Sequence, residues 1–505
     1  MAADLRRVPV IAGAGQWTNR IEDPAAAPDP FSLMETAAGG ALASAGGRVA
    51  PGDLTHCWMV HCLSLRHGDP ATELAVRLGA TAAEARCSGM GGSIPQWLVD
   101  RAAELVAAGE QPRVLIVGAE ALATRRRAKK AGVDLQWPSA KGWPDTWPPL
   151  APDLGVHPVE RAHGLEQATT MYALIESALA HDAGHDPEAH RRAMGELMAR
   201  CNAVAATNPY SWFPTRRGAD ELTTVTDDNR MICSPYPKYL NAVMDVDMAA
   251  AVIVTDAATA RSWGLGPQEV AYLAGWADAK EVWHLSARPA IHRSPALAGC
   301  VASALGRAGV DAGSLGALDL YGCFPSSIEV ARDTVGIGVA DPRPLTLTGA
   351  LPYHGGPGSN YVTHAIANTL EWLRAGHGDS VLVHGNGFYL TTHSVGVYTR
   401  RAPDEAPVPD EGLQDRLDAA AQTLPVEVAA TGPGTVVGVT VPHDRDGVPG
   451  AGIVVVDVDG ARTVARADRA LSELALAADV VGSSVTVRPA RGTGGDGGNL
   501  ASAAS

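Results

Sequence analysis

The chain repeats itself. Residues 93–120, SIPQWLVDRAAELVAAGEQPRVLIVGAE, can be laid on residues 360–387, NYVTHAIANTLEWLRAGHGDSVLVHGNG, without a gap at a constant offset of 267. Ser93 falls on Asn360, Ala108 on Ala375, Gly109 on Gly376, Val114 on Val381, Leu115 on Leu382 and Gly118 on Gly385. Each segment reads as an amphipathic helix, a Gly stop, a short connector and a buried strand. Ile94, Trp97, Leu98, Leu105 and Val106 form one apolar stripe, with Ser93 as N-cap and Pro95 in the first turn. A looser pair supports the first: ALASAG (41–46) resembles SALGRAG (303–309), and HCLS (61–64) falls near YGCFPS (321–326). Any two helix–Gly–strand units share a general likeness. Conserved register over 28 residues, with a second pair behind it, favours two copies of one α/β unit.

The duplication organises the rest of the chain. VPVIAGAGQW, HCWMVHCL and RVLIVGAEA read as strands alternating with helices, which implies a covered, largely parallel sheet. An insertion at about 124–245 separates the copies. It holds the helical stretches EQATTMYALIESALAH and PEAHRRAMGELMARCNAVAA, then a long loop. MAAAVIVTDA restores a buried strand, and the second copy starts near Val270. The domains expected are 1–269, 270–404, an all-β closed barrel at 405–489, and a disordered low-complexity tail at 490–505.

Composition removes several function classes. The net charge of −15 repels phosphate backbones, so no nucleic-acid partner is expected. No apolar run is long enough to span a bilayer and no signal peptide is read, so a cytoplasmic protein is expected. Seven cysteines scattered from Cys57 to Cys323 read as free buried thiols. His56, Cys57, His61 and Cys62 do not form a metal site, because strand alternation sends them to opposite faces; no metal is expected. GAGQWTN lacks the third Gly of a dinucleotide fingerprint. Neither a Gly-x-Ser-x-Gly elbow nor a P-loop is present. TRRRAKK (124–130) reads as a solvated loop face; steering CoA phosphates is its alternative role.

A duplicated α/β unit with an inserted loop region and Gly-rich strand ends resembles the thiolase fold. The words NPYSW, NRMICSPYPKYLNAVMDVDMAAAVIV, DLYGCFPS and HGGPGSN resemble the SCP2-thiolase branch. The appended β-domain resembles the group called thiolase-like protein type 1. The resemblance covers residues 5–489. It implies an α/β chain of two similar βαβαβαββ halves layered α-β-α-β-α, a helical loop domain, and a C-terminal antiparallel β-barrel.

Thiolases share four catalytic places, and the resemblance carries them onto this sequence one by one. A nucleophilic Cys at a helix N-terminus, where the dipole favours thiolate, falls on Gly91 or Gly92 in GMGGSIPQ. Cys87 lies too early and reads as a buried hydrophobe. The Asn-Glu-Ala-Phe or His-Asp-Cys-Phe word falls on Tyr321-Gly322-Cys323-Phe324. The Gly-His-Pro turn falls on Gly355-Gly356-Pro357, with His354 two residues before Gly356. The Cys-x-Gly acid/base falls on Val383-His384-Gly385. All four catalytic positions are therefore changed, while glycines that admit a thioester oxygen remain.

The resemblance implies a protein that handles acyl-CoA and is similar to acetyl-CoA acetyltransferase, in lipid metabolism, without the Cys/His/Cys set. Its alternatives are a non-catalytic acyl-CoA-binding or scaffold protein and a retro-aldolase on a CoA thioester. Tyr321, Cys323, His354 and His384 are the candidate catalytic residues, expected to converge with His393 on one cleft. Gly92, Ser93, Gly355, Gly356, Gly385 and Gly387 are the candidate substrate-binding residues. No cofactor is expected beyond the CoA thioester itself. The expected assembly is a monomer or homodimer.

Overall fold

The computed structural model describes residues 4–490 and 498–503. The first half runs β1 (Pro9–Thr18), α1 (Pro30–Ser44), β2 (His56–Met59), α2 (Pro70–Leu78), β3 (Glu84–Cys87), α3 (Ile94–Ala107) and β4 (Val114–Ala121). The insertion follows with α4 (Leu122–Ala131), α5 (Pro158–Ala162), α6 (Ala168–Asp182), α7 (Pro187–Ala205), α8 (Ala219–Thr223), β5 (Met231–Ser234) and β6 (Tyr236–Pro237), before β7 (Asp247–Asp256) and α9 (Ala257–Ser262). The second half is β8 (Ala271–Lys280), α10 (Pro295–Ala308), β9 (Ala317–Asp319), α11 (Pro325–Val335), α12 (Leu351–His354), α13 (Tyr361–Arg374), β10 (Ser380–Gly387) and β11 (Thr392–Thr399). α14 (Leu413–Ala420), β12 (Gly432–Pro442), β13 (Ile453–Val458), β14 (Ala461–Ala467), α15 (Arg469–Ala477), β15 (Ser484–Pro489) and β16 (Asn499–Ala503) complete the chain.

The strands of the two halves form one nine-stranded sheet, β3-β2-β4-β7-β1-β8-β11-β10-β9. The halves join through a short antiparallel contact of β1 with β8. Alternation sorts the side chains into layers. Val10 and Ala12 point to the outer core under α1, whereas Ile11 joins the central core. α10 covers β8 and β11 in the same way, and α3 and α13 pack between the strands of both halves. This is the five-layer α-β-α-β-α order. The offset of 267 holds in three dimensions: α3 and α13 start and stop at equivalent residues, as do their C-caps Ala108 and Ala375.

Several details depart from the sequence reading. The second half lacks a regular third strand; the carbonyls of Pro344 and Leu345 accept from Leu318 and Leu320 in its place. β2 ends at Met59, so strand alternation covers His56 and Cys57 but not His61 and Cys62. TRRRAKK lies within helix α4, where Arg127 pairs with the buried Asp247 at 2.7 Å. The C-terminal region is not all-β, because α15 packs on the barrel and α14 precedes it.

The tail requires a further correction. Residues 491–497 lie outside the described residues, but Asn499–Ala503 form β16. β12, β13, β14, β16 and β15 close a five-stranded barrel. Four pairings are antiparallel and β14–β16 is parallel. Small apolar residues suit that seam: Ala501 is buried in the barrel core. Asn499 donates to the Val428 and Val464 carbonyls and to Thr463 Oγ1. β5 from the insertion adds to β12, pairing Ser234 with Val441, and so attaches the insertion to the barrel. Among the described residues, no helix is long and apolar enough to cross a membrane.

Candidate functional site

The two equivalent helix starts meet. Gly91 N–H donates to Ser359 Oγ at 3.0 Å, joining the turn before α3 to the turn before α13. The packing is reciprocal. A Cβ on Gly385 of β10 would lie 2.9 Å from Ser93 Cα, and one on Gly118 of β4 would lie 2.6 Å from Asn360 Oδ1. Each helix therefore begins against the strand of the opposite half, at equivalent glycines. Asn360 Nδ2 donates to the Gly118 carbonyl at 2.7 Å. Ser93 does not cap α3 with its side chain; its Oγ lies 2.8 Å from Thr392 Oγ1, across from Gly387.

Gly92 and Tyr321 share this junction, and Cys323 lies near Tyr321 among the Tyr172 and Ser327 hydroxyls. A Cβ on Gly92 would overlap the Tyr321 ring and the Asn386 carbonyl, so Tyr321 fills the space a side chain at Gly92 would need. Tyr321 is 7% exposed and packs edge-on against Tyr361. Burial holds its phenol protonated, far above the ordinary tyrosine range. Burial pushes the Cys323 thiol up to about 12, despite the nearby Tyr172 and Ser327 hydroxyls, so no thiolate forms near neutrality. Phe324 stacks on Tyr172 at 4.8 Å and on Tyr236 at 5.6 Å.

His384 does not join them. Gly385 and Gly387 face the start of α3, so alternation turns His384 and Asn386 to the opposite face of β10. There His384 Nε2 lies 3.1 Å from His393 Nδ1, and His393 Nε2 lies 3.1 Å from Ser294 Oγ. Ser294 in turn donates to Glu281 at 3.0 Å. Burial pulls His384 down to about 3. His354 sits elsewhere again, with Nδ1 3.3 Å from Ser211 Oγ and its ring 5.0 Å from His364. Burial, with His364 and Arg20 nearby, holds it well below the ordinary imidazole range. Five side chains expected in one cleft thus divide into three places, because neighbouring strand residues face opposite ways and α12 carries His354 behind Tyr361.

The glycines divide similarly. Gly91, Gly92, Ser93, Gly385 and Gly387 adjoin one another at the junction. Gly355 and Gly356 spend their N–H groups on the Leu351 and Val243 carbonyls. Gly355 has φ +102°, and a Cβ there would meet Met248 Sδ at 2.9 Å. Sequence reasoning missed Tyr172 and Asn386. Asn386 Nδ2 donates to Tyr172 Oη at 2.8 Å and Ser327 Oγ at 3.2 Å, and Tyr172 donates to the Phe388 carbonyl at 2.9 Å. Phe388 is a non-Gly residue at φ +56°, beside Gly387. Asn386 lies inside the HGNG word and was open to notice; Tyr172, in an ordinary helical stretch, carries no local signal.

Comparison with solved structures decides the family. A crystal structure of a monomeric SCP2-thiolase like protein type 1 from Mycobacterium smegmatis matches with a TM-score of 0.82 and 32% identity, covering 99% of this chain and 100% of the other. The chain belongs to the SCP2-thiolase-like protein type 1 family. The family model for the thiolase-like protein type 1 additional C-terminal domain matches residues 412–491 of this family member. An Ltp2-ChsH2(DUF35) aldolase is similar at a TM-score of 0.58 and 19% identity over 79% of this chain and 99% of the other. Human mitochondrial 3-ketoacyl-CoA thiolase in complex with CoA is similar at 0.52 and 15%, over 79% and 100%. These last two show the thiolase fold alone. A sequence comparison with curated proteins finds no match.

Proposed function

We propose that this thiolase-like protein binds acyl-CoA thioesters at the junction of α3 and α13 and does not carry out Cys-dependent thiolysis. One observation supports the reading above the others: Tyr321 occupies the space beside Gly92 that a nucleophilic side chain would need. Cys323, near Tyr321, is a buried thiol with its pKa raised to about 12. The Gly91-Gly92-Ser93 turn still offers the start of a helix: Gly91 N–H is spent on Ser359 Oγ, and the Gly92 and Ser93 N–H groups suit a thioester oxygen. Tyr321 is nearly closed over, so binding displaces its ring. The monomeric state of the Mycobacterium smegmatis relative extends by the same proposal to this chain.

A second reading, retro-aldol cleavage of a CoA thioester, is favoured by the Tyr321 phenol at the same junction, whose O–H suits a hydrogen bond to the developing enolate oxygen while a base takes the 3-hydroxyl proton and the β-carbonyl fragment leaves. Calorimetric titration with CoA, acetyl-CoA and acetoacetyl-CoA, alongside a free-thiol assay, tests both readings. The first predicts saturable binding without thiol release from acetoacetyl-CoA. Thiol release lost in Cys323→Ala overturns it. Cleavage of 3-hydroxyacyl-CoAs lost in Tyr321→Phe selects the second reading. Absence of binding to every thioester removes both.

A further inference from the structure

One hydrogen bond beyond Tyr236, three helices bring metal-ligating side chains together. Glu176 of α6, His190 of α7 and Glu329 of α11 each offer an atom within 4.8 Å of the other two. All three are buried. Glu176 Oε1 lies 2.6 Å from His190 Nε2, and its other oxygen accepts from the Tyr236 hydroxyl. Glu329 is different. It is only 7% exposed, it meets the Glu176 carboxylate, and the Arg332 guanidinium that favours its charge is itself hydrogen-bonded to Asp333. Two carboxylates facing each other out of water repel unless a proton or a cation lies between them.

We propose that Glu176, His190 and Glu329 form a divalent metal site, of the nitrogen-and-carboxylate type that takes Zn²⁺, tying α6 and α7 of the insertion to α11 of the second half. One imidazole nitrogen and two carboxylates suit Zn²⁺ at about 2.0–2.2 Å from each ligand atom. The 2.6 Å separation of Glu176 and His190 opens slightly when the ion replaces their hydrogen bond. His190 binds as neutral imidazole, its proton on Nδ1, which faces His185 Nδ1 at 3.4 Å. Glu176 and His190 lie on the wall of a cavity of about 100 Å³ shared with His185, Ser234, Thr440 and Asp479, which gives the ion a route. A divalent cation between the carboxylates offsets their repulsion directly, adding to the Tyr236 hydroxyl on Glu176 and the Arg332 guanidinium near Glu329.

The test uses the full chain after dialysis against a chelator. Equilibrium dialysis with Zn²⁺ alone is expected to load one ion per chain and to raise the thermal midpoint. Glu329→Gln and His190→Gln are each expected to weaken binding by at least the roughly 10–100-fold that outer-shell changes cost. Circular dichroism confirms that each variant is folded. Co²⁺ loaded into the unmodified protein gives a check that needs no variant. Visible bands without a sulfur-to-metal charge-transfer band fit the nitrogen–oxygen set, whereas such a band places the ion on a cysteine and overturns the proposal. No stoichiometric uptake of Zn²⁺ also overturns it and leaves a proton shared between the carboxylates. Equal affinity in the folded variants overturns it as well.

Discussion

At the scale of single residues, the junction is governed by Gly92. Its missing side chain is what allows Tyr321 to lie against the start of α3. Gly92→Cys is therefore expected to destabilise the fold by about 1–3 kcal/mol, as overpacking does, and to produce no thiolysis. Urea denaturation and a thiol-release assay check the two halves of that statement; a stable, active Gly92→Cys protein would contradict it. The buried histidines set a pH dependence. His364 and His384 are both pulled from 6.5 down to about 3 by burial, so the folded state holds them neutral where the unfolded chain protonates them. Their contribution is complete above about pH 6.5 and is lost as pH falls toward 3, up to about 5 kcal/mol each. Urea midpoints at about pH 7 and pH 4.5 are expected to fall with acid in the wild type. His384→Gln is expected to show a smaller fall; an unchanged slope would contradict the assignment.

At the scale of elements, the reciprocal packing of α3 on β10 and α13 on β4 carries the architecture. The two glycines beneath these helix starts are not equally tolerant. A methyl at Gly118 meets the Asn360 side chain, whereas one at Gly385 meets the Ser93 backbone. Gly118→Ala is expected to cost about 1–3 kcal/mol and to be partly relieved in a Gly118→Ala/Asn360→Ala double variant, measured by a denaturation cycle. Gly385→Ala has no side chain to yield and is expected to cost at least as much. The helix–connector–strand repeat was legible because its geometry is local: a Gly stop and a short connector dictate how the helix returns to its strand. β5, β16 and the carbonyl edge at Pro344 and Leu345 were not legible, because each pairs with sequence-remote backbone. The junction was legible where motif words carried it, at Gly92 and Tyr321. His384 was misplaced although its signal was present, since alternation along LVHGNG sends it away from Gly385.

At the scale of the whole molecule, the last described strand closes the barrel and the insertion is attached to that barrel through β5. Asn499 holds the closure with hydrogen bonds to β14 and to the Val428 carbonyl. Asn499→Ala leaves buried groups unpaired and is expected to cost about 1–3 kcal/mol. Ending the chain after residue 490 exposes the edges of β14 and β15, and hydrogen exchange is expected to speed up in those strands first. The place where a thioester meets this fold is settled by a crystal structure of the chain with CoA bound. The thiol sulfur is expected in contact with the Gly91–Gly92 backbone beside a displaced Tyr321 ring, with no covalent bond to protein. CoA bound away from the α3–α13 junction, or an acyl group attached to Cys323, would contradict it.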